Sequence, residues 1–289
     1  MNREAGKPFT LFLVHAHPDD ECSSTGGLLL RSAAEGRRTV LLTCTNGEWG
    51  EVKDPRLGLR PRERPGDRRR LGEVRLEELR RAARILGVAH LHPLGYHDSG
   101  MAGWEGNRDP QAFVNAPLEE PAGRIAALIR EHRPEVLITY DAKGGYGHPD
   151  HIMAHRAATA ALAEAERPAP GQEPWRVPKV YHTAFSRRRI LRTWRLMRLL
   201  GQRTPLDDPD FREDRYGTAE EEITTRVDVR PYLSGKWRAL RAHRSQIGGS
   251  FFWRFMRLTA RWNFPEECFV RVRGGAPPGG VERSVFEGL

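Results

Sequence analysis

Apolar runs of strand type alternate with stretches of helical periodicity through the first 185 residues of the chain. Runs at 9–14, 39–45, 90–94, 135–140 and 179–185 predict five strands. Between them, 24–35, 67–86, 119–132 and 149–166 carry apolar residues at helical spacing. In the third helix Ile125, Leu128 and Ile129 share a face, and His132-Arg133-Pro134 ends it. Strands that alternate with helices predict an α/β fold: a Rossmann-like parallel sheet flanked by helices on both faces.

Beyond residue 185 the pattern loosens. Residues 187–200 and 231–244 read as helices, 204–218 are polar, and 223–229 alternate like a strand. An aromatic-rich stretch at 251–264 precedes a last strand at 268–272. No repeat or low-complexity linker intervenes. The expected organisation is an α/β catalytic core over 1–185 and a smaller mixed C-terminal extension over 186–289 that completes the substrate pocket. Segments 46–66 and 95–117 are rich in Gly, Pro and charge and follow the second and third strands. Loops of that length in a compact domain are functional or disordered. Both would leave the carboxyl end of the sheet, where α/β proteins bind ligands.

Two polar clusters sit at strand ends. His15-Ala16-His17-Pro18-Asp19-Asp20-Glu21 follows the first run, and His148-Pro149-Asp150-His151 follows the fourth. In the doubly wound order 3-2-1-4-5, strands one and four are neighbours, with the switch point between their carboxyl ends. The hydrophobic pattern therefore brings the clusters together without any motif knowledge. Pro18 favours an extended or turn conformation at His17. His17 and Asp20, three residues apart, can then face one point while Asp19 points elsewhere. Pro149 suits a first helical position, which puts His148 near the cap and His151 in the first turn. Two imidazoles and a carboxylate make a catalytic zinc set with one position left for water.

Either cluster alone fits a plain turn or a helix N-terminus; the pair at adjacent strand ends does not. His15 is expected to be buried support, and His155, one turn after His151, an ordinary helix residue. A two-metal phosphoesterase would need a second ligand set, for which only His15, His155 and Glu21 are available.

Composition narrows the setting. The 289 residues suffice for a core that folds unaided, and Cys22, Cys44 and Cys268 are too scattered for a disulfide framework or Cys-x-x-Cys metal site. The N-terminus, residues 1–8, is polar, and no apolar run approaches the ~20 residues of a membrane span. A cytoplasmic protein without a membrane partner is expected. The net charge is +9, and of 47 basic residues only five are lysines. Trp194 and Trp237 sit among basic clusters at 60–70, 187–198 and 238–244, but no nucleic-acid recognition motif does. They read as solvated helix faces, with attraction of an anionic substrate as the functional alternative, and no nucleic-acid partner is expected.

The Ala-His-Pro-Asp-Asp-Glu and His-Pro-Asp-His pair resembles the PIG-L/LmbE-like zinc N-deacetylases. Thr43-Cys44-Thr45-Asn46-Gly47-Glu48, Asp98-Ser99-Gly100-Met101-Ala102-Gly103, Gly144-Gly145-Tyr146-Gly147 and Leu240-Arg241-Ala242-His243 echo the same enzymes. The resemblance covers most of the chain and is closest to the members that serve mycothiol metabolism. It implies one Zn2+ per chain, with Fe2+ as a substitute, held by His17, Asp20 and His151. It implies Asp19 as the general base, His148 as stabiliser of the tetrahedral intermediate, and Tyr146 as a carbonyl-polarising group on a mobile loop. Asp150 would orient a histidine, while Arg75, Asp98 and Glu48 would contact the sugar or line its pocket. The implied reaction removes an acetyl group from an N-acetylglucosaminyl-inositol type of amino sugar in low-molecular-weight thiol biosynthesis. Ser24 and the segment from Asp98 favour this deacetylase. The segment from Pro117 and the tail around His243, Gln246 and Ile247 resemble the mycothiol S-conjugate amidase, and a deacetylase of N-acetylglucosaminyl-malate is a third possibility. A homo-oligomer is compatible with all three.

Overall fold

The structure, a computed structural model, describes residues 8–248, 251–275 and 280–289; the polar segment 1–7 and the side chains of residues 251 and 252 lie outside the described residues. A seven-stranded sheet with the order β3-β2-β1-β4-β5-β7-β6 organises the chain. Its parallel part comprises β1 (Thr10–His15), β2 (Arg38–Thr45), β3 (His90–Tyr96), β4 (Val136–Thr139) and β5 (Lys179–Ala184). This is the expected 3-2-1-4-5 arrangement. Two antiparallel strands, β6 (Thr225–Asp228) and β7 (Glu266–Arg273), extend the β5 edge, so the C-terminal region continues the same sheet.

All six residues of β1 are buried, because helices cover both faces of the sheet. The strand period sends Phe12 and Val14 to one face, against α4 (Glu119–His132) and α6 (Pro149–Ala165) through Ile125, Ile129, Met153 and Ala157. It sends Leu11 and Leu13 to the other, against α2 (Gly26–Ala34), α3 (Gly66–Leu86) and α8 (Leu233–Leu240). The remaining helices are the short α1 (Asp20–Ser24), the single turn α5 (Gly144–Gly147), α7 (Arg187–Leu199) and α9 (Phe251–Asn263).

The helix expected over 24–35 is stepped. It breaks at Thr25, whose φ of −137° is not helical, into α1 and α2. The step lets α2 press on the sheet edge: a side chain at Gly27 would come within 2.4 Å of Val229. The Gly27 and Leu28 amides donate to Glu267 of β7 at 2.8 Å each, satisfying the open N-terminus of α2. Helical periodicity continues across Thr25, so the sequence gives no sign of the break.

A second carboxylate secures the far edge. Buried Glu282 accepts from Lys179 Nζ at 2.7 Å, Tyr181 Oη at 3.0 Å and Thr225 Oγ1 at 2.5 Å, joining β5, β6 and the C-terminus. Burial pushes its carboxyl up, but Lys179, Thr225 and Tyr181 outweigh burial and hold it below the usual range. A depressed folded value means stability that is present above the unfolded value of ~4.3 and lost as pH falls through the folded one. Thermal melts of wild type should therefore decline more steeply below pH ~4.3 than those of Glu282→Gln. Parallel pH profiles of the two would count against this role.

Candidate metal centre and active site

Strands β1 and β4 lie side by side with Leu13 opposite Ile138, so the two polar clusters emerge together at the carboxyl end of the sheet. His17 Nδ1 lies 3.2 Å from His151 Nε2, and Asp20 Oδ2 lies 3.4 and 3.5 Å from those nitrogens. The other nitrogen of each ring has its own acceptor. His17 Nε2 is 3.2 Å from Asp150 Oδ2, and His151 Nδ1 is 3.2 Å from the Gly144 carbonyl. With the ring protons committed there, two imidazole lone pairs and a carboxylate converge with no donor between them. Three acceptors at this spacing call for a cation. Metal–ligand bonds of about 2.0–2.1 Å in a tetrahedral set separate the donors by ~3.3 Å, which the triangle matches.

The surrounding charge agrees. Burial opposes protonation of His17, yet Asp98, Asp150 and Asp20 outweigh it and raise its pKa well above the ordinary value. Negative charge is thus in surplus, and a proton or a metal ion answers it. Asp150 is anchored from behind by Ser99, whose amide and hydroxyl donate at 2.9 and 2.5 Å. Alternative donor groups surround His17, either with His148 and His151 or with Asp98, His148 and Asp150. The first shares His17 and His151 with the Asp20 triangle, and the second would engage the carboxylates that face His17 Nε2.

Sequence reasoning missed Tyr140. Its hydroxyl donates to Asp20 Oδ2 at 2.6 Å and accepts from the Ala16 amide at 2.8 Å. Its ring stacks on His151 at 4.2 Å, so one residue at the end of β4 orients two members of the triangle. The residue closes an apolar run and looks like core. Supports of this kind typically change metal affinity by about 10–100-fold. Tyr140→Phe, which keeps the ring, should weaken binding by that order in a competitive chelator titration; unchanged affinity would remove Tyr140 from the site.

Asp19 stays outside the triangle. It adopts φ 108°, a region costly for non-glycine residues, and is held there from both sides. Its amide donates to Glu21 Oε2 at 2.9 Å, and its carboxylate meets Arg75 Nη2 at 3.1 Å. Burial raises its pKa to about 6 against the opposing pull of Arg75. Glu21 in turn bonds buried His243 across 2.7 Å, and Cys22 donates to the same carboxylate. That closed trio was not foreseen as a unit, because Glu21 and His243 are 222 residues apart.

His148 caps α6, its Nδ1 accepting the Asp150 amide at 3.2 Å. Burial, then His17 and His151, lower its pKa to about 3, so it is neutral with its proton on Nε2. Tyr146 is 67% exposed on the α5 turn, its ring 5.1 Å from that of His151. Gly144, Gly145 and Gly147 all take positive φ, which frees this turn from the helical path. A cleft of about 230 Å3 joins His17, Asp19, Asp20, Tyr146 and His148, with Arg75 and Asp98 in its wall. It adjoins a larger cavity of about 790 Å3 through Trp49 and Asp98.

Glu48, Arg75 and Asp98, expected at the sugar, line these cavities and also bond the surrounding loops. Glu48 lines the larger cavity, but its oxygens accept from Asn46 Nδ2 at 3.0 Å and the Asp98 amide at 2.9 Å. Arg75 donates to the Gly47 and Pro18 carbonyls at 2.7 and 2.5 Å. Asp98 accepts from the Gly100 and Trp49 amides at 2.8 and 3.2 Å and sits 3.6 Å from His17. His15 is buried between Thr25 and Tyr140, and His155 bonds the Tyr140 carbonyl at 2.9 Å, away from the triangle.

Comparison with known proteins places the chain. Residues 12–162 match the family described as "PIG-L: GlcNAc-PI de-N-acetylase". The 1D-myo-inositol 2-acetamido-2-deoxy-alpha-D-glucopyranoside deacetylase of Thermomonospora curvata is 41% identical, over 96% of each chain. Its namesake from Thermobifida fusca is 44% identical, over 96% of this chain and 98% of its own. Among solved structures, N,N'-diacetylchitobiose deacetylase from Pyrococcus horikoshii superposes with a TM-score of 0.63 at 18% identity, covering 92% of this chain and 84% of its own, and shares the fold. Two polar clusters brought to one point by a doubly wound sheet, and relatives of this similarity, lead to one conclusion: the chain belongs to the PIG-L family of metal-dependent deacetylases.

Proposed function

We propose that this protein removes the acetyl group from an N-acetylglucosaminyl-inositol substrate, using one zinc ion held by His17, Asp20 and His151. The observation that carries the reading is the three-acceptor triangle beside a separate, uncoordinated carboxylate, Asp19, in one cleft. Zinc bound there would lower the pKa of a water toward ~7 and polarise the amide carbonyl. Iron(II) suits the same donors, and availability would decide between the two.

Asp19 takes the proton from the attacking water and returns it to the departing nitrogen. Its carboxyl, raised to about 6, is suited to both transfers near neutral pH. Neutral His148 donates through Nε2–H to the oxygen that becomes negative in the tetrahedral intermediate. Tyr146, swung on its glycine turn, offers a hydroxyl to the same oxygen. Asp150 keeps His17 in the tautomer whose Nδ1 faces the triangle. Arg75 fixes Asp19, while Asp98 and Glu48 shape the wall from which the sugar is read. The deacetylases from T. curvata and T. fusca support inositol as the aglycone.

A panel of N-acetylglucosaminyl-inositol, N-acetylglucosaminyl-malate and a mycothiol S-conjugate tests the substrate. Highest kcat/KM on the first is expected. Turnover of the S-conjugate alone would make the protein an amidase, and preference for the malate compound would reassign the aglycone.

A further inference from the structure

The arginine cluster at 187–198 plays no part in the active site. It lies on α7, which carries six arginines, and α9 adds three; neither helix contains an acidic residue. The two helices touch where Arg192 Nη2 donates to the Trp262 carbonyl at 2.7 Å. Among arginines that alternate along their outer faces stand Leu196, Leu199, Leu258 and Trp262, the last three 84%, 70% and 71% exposed. With Leu200 at the end of α7, these are five of the ten large apolar side chains exposed among the described residues. Solvated helix faces, the expectation from sequence, do not gather leucine and tryptophan in this way.

Charge selects the occupant. A second copy of the chain would set the seven exposed arginines of these helices against seven. On α7, Arg189 pairs with Glu266, and Arg195 and Arg198 pair with Glu213 and Asp207 at 3.6 and 3.1 Å. A groove of about 790 Å3 alongside α9 repeats the bias: Lys53, Arg56, Arg241, Arg244, Arg254 and Arg257 line it, with Asp54 the sole carboxylate among its described lining residues. Leucine and tryptophan projecting between guanidinium groups are what an interfacial helix presents to acyl chains and anionic headgroups. No helix among the described residues is long and apolar enough to cross a membrane, so such contact is peripheral. We infer that the α7–α9 face seats the enzyme on an anionic lipid surface, with the adjacent basic groove against the headgroup phosphates. This departs from the expectation of no membrane partner, and it stands whatever the substrate.

Co-sedimentation with vesicles of phosphatidylglycerol and phosphatidylcholine tests the inference directly. Binding is expected at 0.1 M salt, and it should be about tenfold or more weaker on phosphatidylcholine alone and at 0.5 M salt. Leu258→Glu/Trp262→Glu should lose it by a similar factor while turning over soluble substrate normally. A blue shift of tryptophan emission on vesicles should be reduced in Trp262→Phe. No sedimentation with the anionic vesicles would overturn the inference. So would undiminished binding by the double variant, which would mean mere adsorption of a +9 protein. Equal affinity for soluble polyglutamate would point instead to an acidic polypeptide and overturn it as well.

Discussion

Asp19→Asn is expected to lower kcat by a factor of ~10²–10⁴ while leaving metal content and KM near wild type. The substitution is close to isosteric, and asparagine tolerates the left-handed region that residue 19 occupies at φ 108°. The Asp19 amide keeps its bond to Glu21, and Arg75 keeps two carbonyl acceptors, so the loop has no reason to move. What disappears is a proton acceptor beside the donor triangle. The contrast between adjacent carboxylates is the informative part. Burial lifts Asp19 to about 6, whereas burial at Asp20 is overcome by His151 and His17, which hold it well below the carboxylate range. One can exchange protons near neutrality and the other cannot. Steady-state kinetics with metal analysis on the same preparation decides; near-normal turnover would take the base role away from Asp19.

His151→Ala is expected to be more severe, abolishing metal retention and reducing turnover by ~10³ or more. Its outer bonds are few: the Gly144 carbonyl and the ring of Tyr140. The fold should therefore survive, which circular dichroism can verify. His17→Ala is a poorer test, because it strips the buried carboxylates Asp98 and Asp150 of their shared partner. If the triangle is a ligand set, free imidazole should restore part of the lost activity to His151→Ala. A variant that binds zinc as tightly as wild type would show that the ion sits elsewhere around His17.

The sheet was legible because parallel strands buried on both faces must be written as continuous apolar runs, and β1 is buried throughout. Its order then placed His17 and Asp20 against His151 before any side chain was seen. Local signals carried the rest of the first layer: Pro149 started α6 and left His148 at its cap. Beyond Asp150 and His15, the supporting layer was not legible. Tyr140 looks like core until its hydroxyl is found on Asp20. The Glu21–His243 pair depends on the C-terminal region returning beneath α1. Glu48, Arg75 and Asp98 read as substrate contacts by resemblance, yet their bonds go first to loop backbone, because turns at a buried site need their own amides and carbonyls satisfied.

The most direct test of the central claim is metal content measured alongside activity during reconstitution of chelator-stripped enzyme. Activity absent from the stripped protein should return in proportion to added zinc, saturate at one ion per chain, and fail to return in His151→Ala. Full turnover without metal, or a requirement for two ions, would contradict a single catalytic ion on His17, Asp20 and His151.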